Sequence, residues 1–317
     1  MKILANDGIA ASGKTKLEAA GHQVITQTVP QDQLIEAINK ENYEVVLVRS
    51  ATQIRKDIID ACPCIKMIGR GGVGMDNIDV EYGRSKGIKV FNTPGASSQS
   101  VAELVFAHLF GAVRGLYDSN RQMPIKGTTE FGVLKKKYGK GMELRGKTLG
   151  VIGMGRIGQS VMQYGLGLGM KVIAHDPYVD TVNIHVEVAG TPGLDVAIKS
   201  ESFDKVITES DILTLHVPKQ KDGSAVIGAK EFEKMKKGVI IANAARGGVI
   251  DEDALINALN SSQVSVVCLD VYNNEPTPDH RLLSHPSISL TPHVGAATEE
   301  AQDRIGTELA DFIIANA

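Results

Sequence analysis

Short apolar runs and amphipathic segments alternate along the first 96 residues of the chain. Five runs have the length of buried strands, at positions 3–5, 24–26, 45–48, 67–68 and 89–91. Helical patterns lie between them, as in residues 33–40 and 55–61. This alternation predicts a parallel sheet that is covered by helices on both faces. Ligands of such sheets bind beyond the carboxyl ends of the strands, which draws attention to residues 49–52 and 69–79.

A long helical stripe follows residues 93–95, a Thr-Pro-Gly segment that interrupts regular structure. Ser100 and Glu103 have the spacing of a capping box, which predicts that the helix begins there. His108 lies on the apolar stripe, and we interpret it as a packed core histidine. The basic segment 123–145 predicts a solvated loop, although an arm that grips a second subunit is an alternative.

The remainder of the chain continues the alternation of strands and helices. Strand-like runs occur at 211–218, 238–247, 264–271 and 287–293. Asp251 is a predicted N-cap of one helix and Thr298 of the last one. The pattern between residues 179 and 201 predicts no element.

A glycine-rich turn between a strand and a helix is the strongest local motif. An apolar run at Thr148–Ile152 leads into Gly153, Gly155 and Gly158, and a second strand ends at Asp176. Glycines at this spacing let the backbone approach a pyrophosphate at a helix N-terminus, and the acid can accept ribose hydroxyls. The motif predicts a dinucleotide site, while a purely structural strand–helix–strand turn is the alternative.

Composition limits the classes of function. The chain has 317 residues, 43% of them hydrophobic, three cysteines and a formal net charge of −3. This length allows two domains, and the charge favours neither nucleic acid nor an anionic membrane as a partner. Few cysteines and no signal-peptide or membrane-span pattern predict a cytoplasmic protein without disulfides. Cys62 and Cys64 have no neighbouring second pair of ligands, so we expect no metal site.

Three polar residues near predicted strand ends could carry redox chemistry beside a nicotinamide. Arg246 could bind a substrate carboxylate through two parallel hydrogen bonds. His293 is a candidate acid–base group because histidine titrates near neutral pH, and Glu275 could hold its imidazole. Each residue alone also has an ordinary structural interpretation, as a surface arginine, a loop histidine or a capping glutamate.

Six segments together resemble the D-isomer-specific 2-hydroxyacid dehydrogenase family over nearly the whole chain. They are GRGGVGMDNID, NTPGASSQSVAEL, GKTLGVIGMGRIG, NAARGGVIDEDAL, LDVYNNEP and TPHVGAATEEA. The resemblance implies an α/β fold with two doubly wound parallel-sheet domains, in which a Rossmann cofactor domain is inserted in a flavodoxin-like substrate domain. We place the substrate domain at 1–96 plus 287–317 and the NAD-binding domain at 97–286. A homodimer is also expected from the family.

The resemblance assigns roles to residues of this chain. Arg246, Glu275 and His293 are implied to be the catalytic set. The cofactor, NAD, is expected to contact Gly153, Gly155, Arg156, Ile157, Gly158, Asp176, Pro177, His216, Val217, Pro218, Ala244, Ala245, Asp270, His293 and Gly295. The substrate is expected to contact Arg49, Ser50, Arg70, Gly71, Gly72, Arg246 and His293.

Within the family, the segments around Arg49 and Arg70 resemble members that act on a small phosphorylated 2-hydroxy or 2-oxo acid. The two arginines would then meet the phosphate, unless one pairs with an acid such as Asp76. Alternatives are a reductase of unphosphorylated 2-oxo acids and an NAD(H)-sensing corepressor. The sequence stops after the last predicted helix, so we expect no C-terminal regulatory domain of the kind that longer members carry.

Overall fold

The computed structural model describes residues 1–317. Contacts divide the chain into two compact units, Met1–Ser100 with Ala296–Ala317, and Val101–Gly295. No helix combines the length and the hydropathy that crossing a membrane requires. All three cysteines are free thiols.

The N-terminal unit is built on a five-stranded parallel sheet in the order β2-β1-β3-β4-β5. The strands are β1 (Lys2–Ala5), β2 (Gln23–Ile25), β3 (Val45–Val48), β4 (Met67–Arg70) and β5 (Lys89–Asn92). The helices between them are α1 (Ala11–Ala19), α2 (Leu34–Glu41), α3 (Lys56–Ala61) and α4 (Val80–Ser85).

Both faces of this sheet are apolar, as the continuous hydrophobic strands predict. Along β3, Val46 and Val48 join a core with α2 and α3, whereas Val45 and Leu47 join a core with α1. Successive side chains of a strand point to opposite faces, so a strand that is buried on both must be apolar throughout.

The second unit is built on a six-stranded parallel sheet and a separate antiparallel hairpin. Its helices are α5 (Ser98–Arg114), α6 (Leu116–Lys126), α7 (Phe131–Tyr138), α8 (Arg156–Gly167), α9 (Phe203–Glu209), α10 (Ala229–Lys234), α11 (Glu252–Asn260) and α12 (His280–Leu283). Its strands are β6 (Thr148–Ile152), β7 (Lys171–His175), β8 (Thr181–Val186), β9 (Leu194–Lys199), β10 (Ile212–Leu215), β11 (Val239–Asn243), β12 (Val264–Leu269) and β13 (Ile288–Leu290).

The strand order of the large sheet places a ligand site. The order is β13-β12-β11-β10-β6-β7, with all neighbours parallel. The direction of winding reverses between β6 and β10, and open α/β sheets bind ligands at such a point, outside the carboxyl ends of the strands. The last helix, α13 (Glu299–Asn316), packs against α1 and β4 of the N-terminal unit. Both units thus have the doubly wound α/β architecture that the sequence predicts.

Several expectations about elements need correction. We predicted that residues 287–317 belong to the substrate domain. The strand at 288–290, however, pairs with β12, so residues 287–295 belong to the second unit. α5 begins at Ser98, which puts Ser100 inside the helix and rules out the predicted capping box. Segment 123–145, predicted as a loop, contains the end of α6 and all of α7. Residues 181–199, for which no element was predicted, form the β8–β9 hairpin. The predicted N-caps at Asp251 and Thr298 are confirmed, since both side chains accept a backbone N–H.

Candidate active site

The glycine-rich turn joins β6 to α8 as the motif predicts. Gly153 has φ +100°, and a Cβ there would lie 2.5 Å from the carbonyl oxygen of His216. A Cβ on Gly158 would collide with the carbonyl of Gly153. Gly155 differs from both, because a Cβ there would meet nothing within 4 Å. The first and third glycines are therefore required by the fold itself, whereas the second is not.

Asp176 lies beside this turn because β7, which precedes it, pairs with β6. Its carboxylate accepts the backbone N–H of Met154 at 2.8 Å and that of Tyr178 at 2.9 Å. Each oxygen thus has one donor and keeps further acceptor capacity, which suits the two hydroxyls of a ribose.

His216 follows β10 on the other side of the turn. Its backbone N–H donates to the carbonyl of Ile152 at 2.7 Å, and its Nε2 lies 2.9 Å from Oγ1 of Thr214. Burial lowers the pKa of His216 to about 3, so the ring is neutral. Its Nδ1 is buried and has no partner in the protein. Together with the open space at Gly155, this unpaired nitrogen fits a site that a dinucleotide completes.

Arg246 lies in a loop after β11 that one side chain holds in shape. Asn243 donates from Nδ2 to the carbonyl of Arg246 at 3.0 Å and accepts the N–H of Ala245 at 3.0 Å. The Arg246 guanidinium donates from Nη1 to the carbonyl of Ala245 at 2.6 Å. Gly247 is required next, because a Cβ would collide with the carbonyl of Tyr272.

Glu275 and His293 form the pair that the sequence predicts. The imidazole Nδ1 lies 2.7 Å from Oε2 of Glu275, and the other oxygen, Oε1, accepts the backbone N–H of Tyr272 at 2.9 Å. The side chains of His293 and Glu275 are 40% and 35% exposed, so a substrate can reach the ring. Since the carboxylate can only accept, Nδ1 carries a proton, and in the neutral tautomer Nε2 is the nitrogen with the lone pair.

The turn that carries His293 is held by Asp270, a buried residue after β12. Its Oδ1 accepts Oγ1–H of Thr291 at 2.6 Å and the N–H of Val294 at 2.8 Å, and its Oδ2 accepts the N–H of Gly295 at 2.8 Å. His293 itself has φ +56°, a left-handed conformation that is uncommon for histidine. The surrounding contacts must therefore hold it there.

The structure brings the predicted cofactor and catalytic residues of the second unit to the carboxyl ends of six neighbouring strands. They follow β6 (Gly153, Gly155, Arg156, Ile157, Gly158), β7 (Asp176, Pro177), β10 (His216, Val217, Pro218), β11 (Ala244, Ala245, Arg246), β12 (Asp270, Glu275) and β13 (His293, Gly295). Their individual roles remain predictions.

The predicted substrate residues of the N-terminal unit lie at the carboxyl ends of two adjacent strands. Val48 of β3 pairs with Arg70 of β4, so Arg49 is one residue beyond that pair, and the exposed Ser50 follows it. Of the two glycines that follow Arg70, only Gly72 is needed to leave space for an arginine side chain. A Cβ on Gly72 would collide with the guanidinium of Arg70, whereas one on Gly71 would lie at an ordinary contact distance of 3.6 Å from Cγ of Arg49.

Sequence reasoning missed the residues that hold the Arg49 loop. Asp7 accepts the backbone N–H of Arg49 at 2.6 Å and of Thr52 at 3.1 Å. Asn77 donates to the carbonyls of Arg49 at 2.9 Å and Thr52 at 2.6 Å. Asp7 lies two residues after β1, so its position near a strand end was a signal that the sequence did offer.

Comparison with known proteins identifies the family. A family model described as the NAD-binding domain of D-isomer specific 2-hydroxyacid dehydrogenases matches residues 106–295. The chain belongs to this family. It therefore carries an NAD-binding domain, and the predicted resemblance is confirmed.

Individual members of the family carry different names. The chain is 38% identical over 316 residues to a D-3-phosphoglycerate dehydrogenase of Archaeoglobus fulgidus, covering 99% of this chain and 57% of that one. It is 41% identical over 294 residues to a hydroxypyruvate reductase of Thermotoga maritima, covering 92% and 90%. Among solved structures, NAD⁺-bound 3-phosphoglycerate dehydrogenase of Entamoeba histolytica has a TM-score of 0.76 at 30% identity, covering 99% and 94%. The chain thus spans little more than half the length of the archaeal dehydrogenase.

Proposed function

We propose that the protein oxidises D-3-phosphoglycerate to 3-phosphohydroxypyruvate with NAD. When bound, NAD supplies the acceptor for the hydride that leaves C2 of the substrate. The residues of this chain then have three tasks, which are to hold the carboxylate, to take the hydroxyl proton and to bind the phosphate.

His293 is suited to take the proton. With Nδ1–H directed at Glu275, the free lone pair on Nε2 accepts the proton of the C2 hydroxyl. The imidazolium that forms is stabilised by the Glu275 carboxylate 2.7 Å away. Arg246 binds the substrate carboxylate, which fixes C2 relative to both the imidazole and the hydride acceptor.

We expect the two arginines at the ends of β3 and β4 to make the protein prefer a phosphorylated substrate. A phosphate dianion that leaves water needs cations or oriented N–H groups close to it, because the net charge of −3 provides no attraction at long range. Arg49 and Arg70 end neighbouring strands, and the Arg49 loop is fixed by Asp7 and Asn77. Two arginines that follow neighbouring strands, one of them on a fixed loop, support phosphate binding.

Parallel assays of NADH oxidation test the proposal. We expect the wild-type protein to reduce 3-phosphohydroxypyruvate with a much higher kcat/KM than hydroxypyruvate or glyoxylate. Arg49→Gln and Arg70→Gln should each raise the KM for the phosphorylated substrate roughly 10- to 100-fold, the equivalent of one charge-assisted contact. Both should leave activity on hydroxypyruvate nearly unchanged.

Arg84→Gln is the matched control, because Arg84 pairs with Glu81 on the surface of α4. The Arg84→Gln variant should have wild-type KM values for both 3-phosphohydroxypyruvate and hydroxypyruvate. Equal losses on both substrates in the Arg49 and Arg70 variants would contradict the phosphate assignment. Binding of NADH without turnover of any substrate would favour the NAD(H)-sensing alternative.

A hydroxypyruvate or glyoxylate reductase is the second candidate. It is favoured by the 41% identity to the Thermotoga maritima protein named hydroxypyruvate reductase, of which this chain covers 90%. A wild-type enzyme that is indifferent to the phosphate would decide for this candidate.

We also propose a homodimer. Seven of the twelve exposed large apolar side chains lie between residues 110 and 133, and they are Phe110, Leu116, Tyr117, Met123, Ile125, Phe131 and Val133. A segment with this many exposed apolar side chains is typical of an interface. Sedimentation should give twice the chain mass, and Ile125→Lys should weaken association, whereas the control Val188→Lys should not. A monomeric wild type would refute the proposal.

We further propose a cytoplasmic location, with which the three free thiols are consistent.

A further inference from the structure

His108 is buried in α5 and contacts two hydroxyl groups, one in β13 and one directly after it, where the chain leads to the His293 turn. The residue is 7% exposed. Its Nδ1 lies 2.7 Å from Oγ of Ser289, and its Nε2 lies 2.9 Å from Oγ1 of Thr291. The expectation of a packed core histidine is thereby confirmed, but the ring has polar partners on both nitrogens.

The direction of each hydrogen bond follows from the number of protons. Thr291 has one hydroxyl proton, and it donates this proton to the Asp270 carboxylate, which can only accept. Nε2 of His108 must therefore donate to Thr291, and Nδ1 accepts the hydroxyl proton of Ser289. We assign the neutral Nε2–H tautomer on this basis. Burial lowers the pKa of His108, which keeps the ring neutral, although the Asp270 charge opposes this effect.

The resulting chain of hydrogen bonds ends at the turn of His293. The Asp270 carboxylate accepts a hydrogen bond from the hydroxyl of Thr291, which precedes His293. It also accepts hydrogen bonds from the backbone N–H groups of Val294 and Gly295, which follow His293. His293 holds a left-handed conformation that its own preferences do not favour. Each contact to Asp270 therefore restricts where the imidazole can lie relative to Glu275.

We propose that His108 is a positioning residue that acts through Thr291 and Asp270 to hold the His293 turn in its reactive geometry. The donor on Nε2 orients the Thr291 hydroxyl toward Asp270, and Asp270 then fixes both flanks of the turn. The inference rests on the proposed function insofar as His293 transfers the proton. His108 itself touches neither substrate nor cofactor in this role.

Paired substitutions separate hydrogen bonding from packing. His108→Leu removes the donor but fills most of the volume, whereas His108→Gln keeps an N–H near Nε2. Thr291→Val removes the hydroxyl with little change of shape, whereas Thr291→Ser keeps it. We expect His108→Leu to lower kcat about 3- to 10-fold and Thr291→Val about 10- to 100-fold, because the second loses a bond to a charged group.

The split between kcat and KM identifies the role. A misplaced proton acceptor weakens only the transition state, so kcat should fall while KM changes less than about twofold, since Arg246 lies on another loop. His108→Gln and Thr291→Ser should recover most of the loss. Ser289→Ala, which touches only Nδ1, is the control and should stay near wild type. Losses that follow thermal stability in all variants, with no rescue, would overturn the proposal.

A double-mutant cycle adds an independent criterion. If His108 acts through Thr291, then combining His108→Leu with Thr291→Val should lower kcat no more than Thr291→Val alone. If the losses of kcat in the two single variants instead add up in the double variant, His108 does not act through Thr291, and the proposal is overturned.

A measurement without turnover distinguishes this proposal from the proposed function. In histidine-labelled protein, the Nδ1–H proton of His293 should resonate at low field because it is hydrogen-bonded to Glu275. His108→Leu should shift or broaden that signal, and His108→Gln should restore it. An unchanged signal would overturn the positioning role, whereas a wild type that reduces none of the three substrates would overturn the proposed function alone.

Discussion

Gly155 allows the needs of the fold to be separated from those of a bound dinucleotide. It is the N-cap of α8 with φ −69° and ψ −176°, values that any residue can adopt. The position is exposed, and a Cβ there would meet nothing within 4 Å. Apart from a modest N-cap preference, the fold therefore tolerates a side chain at this position, and we expect the glycine to serve a bound ligand.

Gly155→Ala should leave stability nearly unchanged and weaken NADH binding. Lower flexibility of the unfolded chain stabilises the variant by about 0.4–1 kcal/mol, whereas alanine is a poorer N-cap by about the same amount. A methyl group at this position would, however, stand where the backbone approaches the pyrophosphate. Loss of one charge-assisted hydrogen bond, about 1.5–3 kcal/mol, would raise the Kd for NADH roughly 10- to 100-fold.

Urea unfolding and fluorescence titration with NADH measure the two effects, and two glycines serve as controls. Gly153→Ala should lose stability, because its φ is +100° and its Cβ would approach His216 at 2.5 Å. Gly167→Ala, at the end of α8 with nothing within 4 Å, should keep both the stability and the Kd close to wild type. NADH affinity of Gly155→Ala equal to wild type would refute the placement of the pyrophosphate at this turn.

Three further predictions follow from single residues. Asp176→Ser should reduce the preference for NADH over NADPH at least tenfold in the ratio of Kd values, because the carboxylate repels a 2′-phosphate; an unchanged ratio would contradict its ribose role. Burial lowers the pKa of His216 from 6.5 to about 3. The unfolded chain therefore binds this proton first, and up to about 2 kcal/mol of stability should be lost between pH 8 and pH 5. Urea unfolding of His216→Gln at both pH values should show a smaller loss, and an equal loss would exclude His216 as the cause. Gly13→Ala should lower the free energy of unfolding in urea by about 1–3 kcal/mol, because its Cβ would lie 2.5 Å from the carbonyl carbon of Gly306 in α13. Lys14→Ala, at a partly exposed neighbouring position, is its control, and equal stability of both variants would refute the close approach.

Local patterns predicted the features of the site that depend on neighbouring residues. The strand, the glycine turn and Asp176 follow one another within 30 residues of sequence, and each has its own stereochemical signature. The β8–β9 hairpin also had a signal that was overlooked. Apolar and polar residues alternate in TVNIHV, the pattern of a half-buried strand, and Ile184 is indeed buried.

Other features had no local signal. α7 buries only Leu134, so its basic sequence lacks the apolar stripe that predicts a helix. The partners of His108 are more than 180 positions away along the chain, at Ser289 and Thr291. Long-range contacts of this kind arise from the packing of α5 on the edge of the sheet, and no spacing in the sequence encodes them.

The family match covers the predicted catalytic residues but not the two arginines predicted to bind phosphate. Arg246, Glu275 and His293 all lie within residues 106–295, the part that the family model covers. Arg49 and Arg70 lie outside it. A match to that model therefore supports an NAD-linked function and carries no information about a phosphate site. If substrate choice is encoded in the N-terminal unit, then changing the two arginines should alter selectivity without altering proton transfer at His293. The dependence of kcat on pH should accordingly be the same in Arg49→Gln, Arg70→Gln and wild type, and a displaced profile would show that substrate choice and chemistry are not separable in this way.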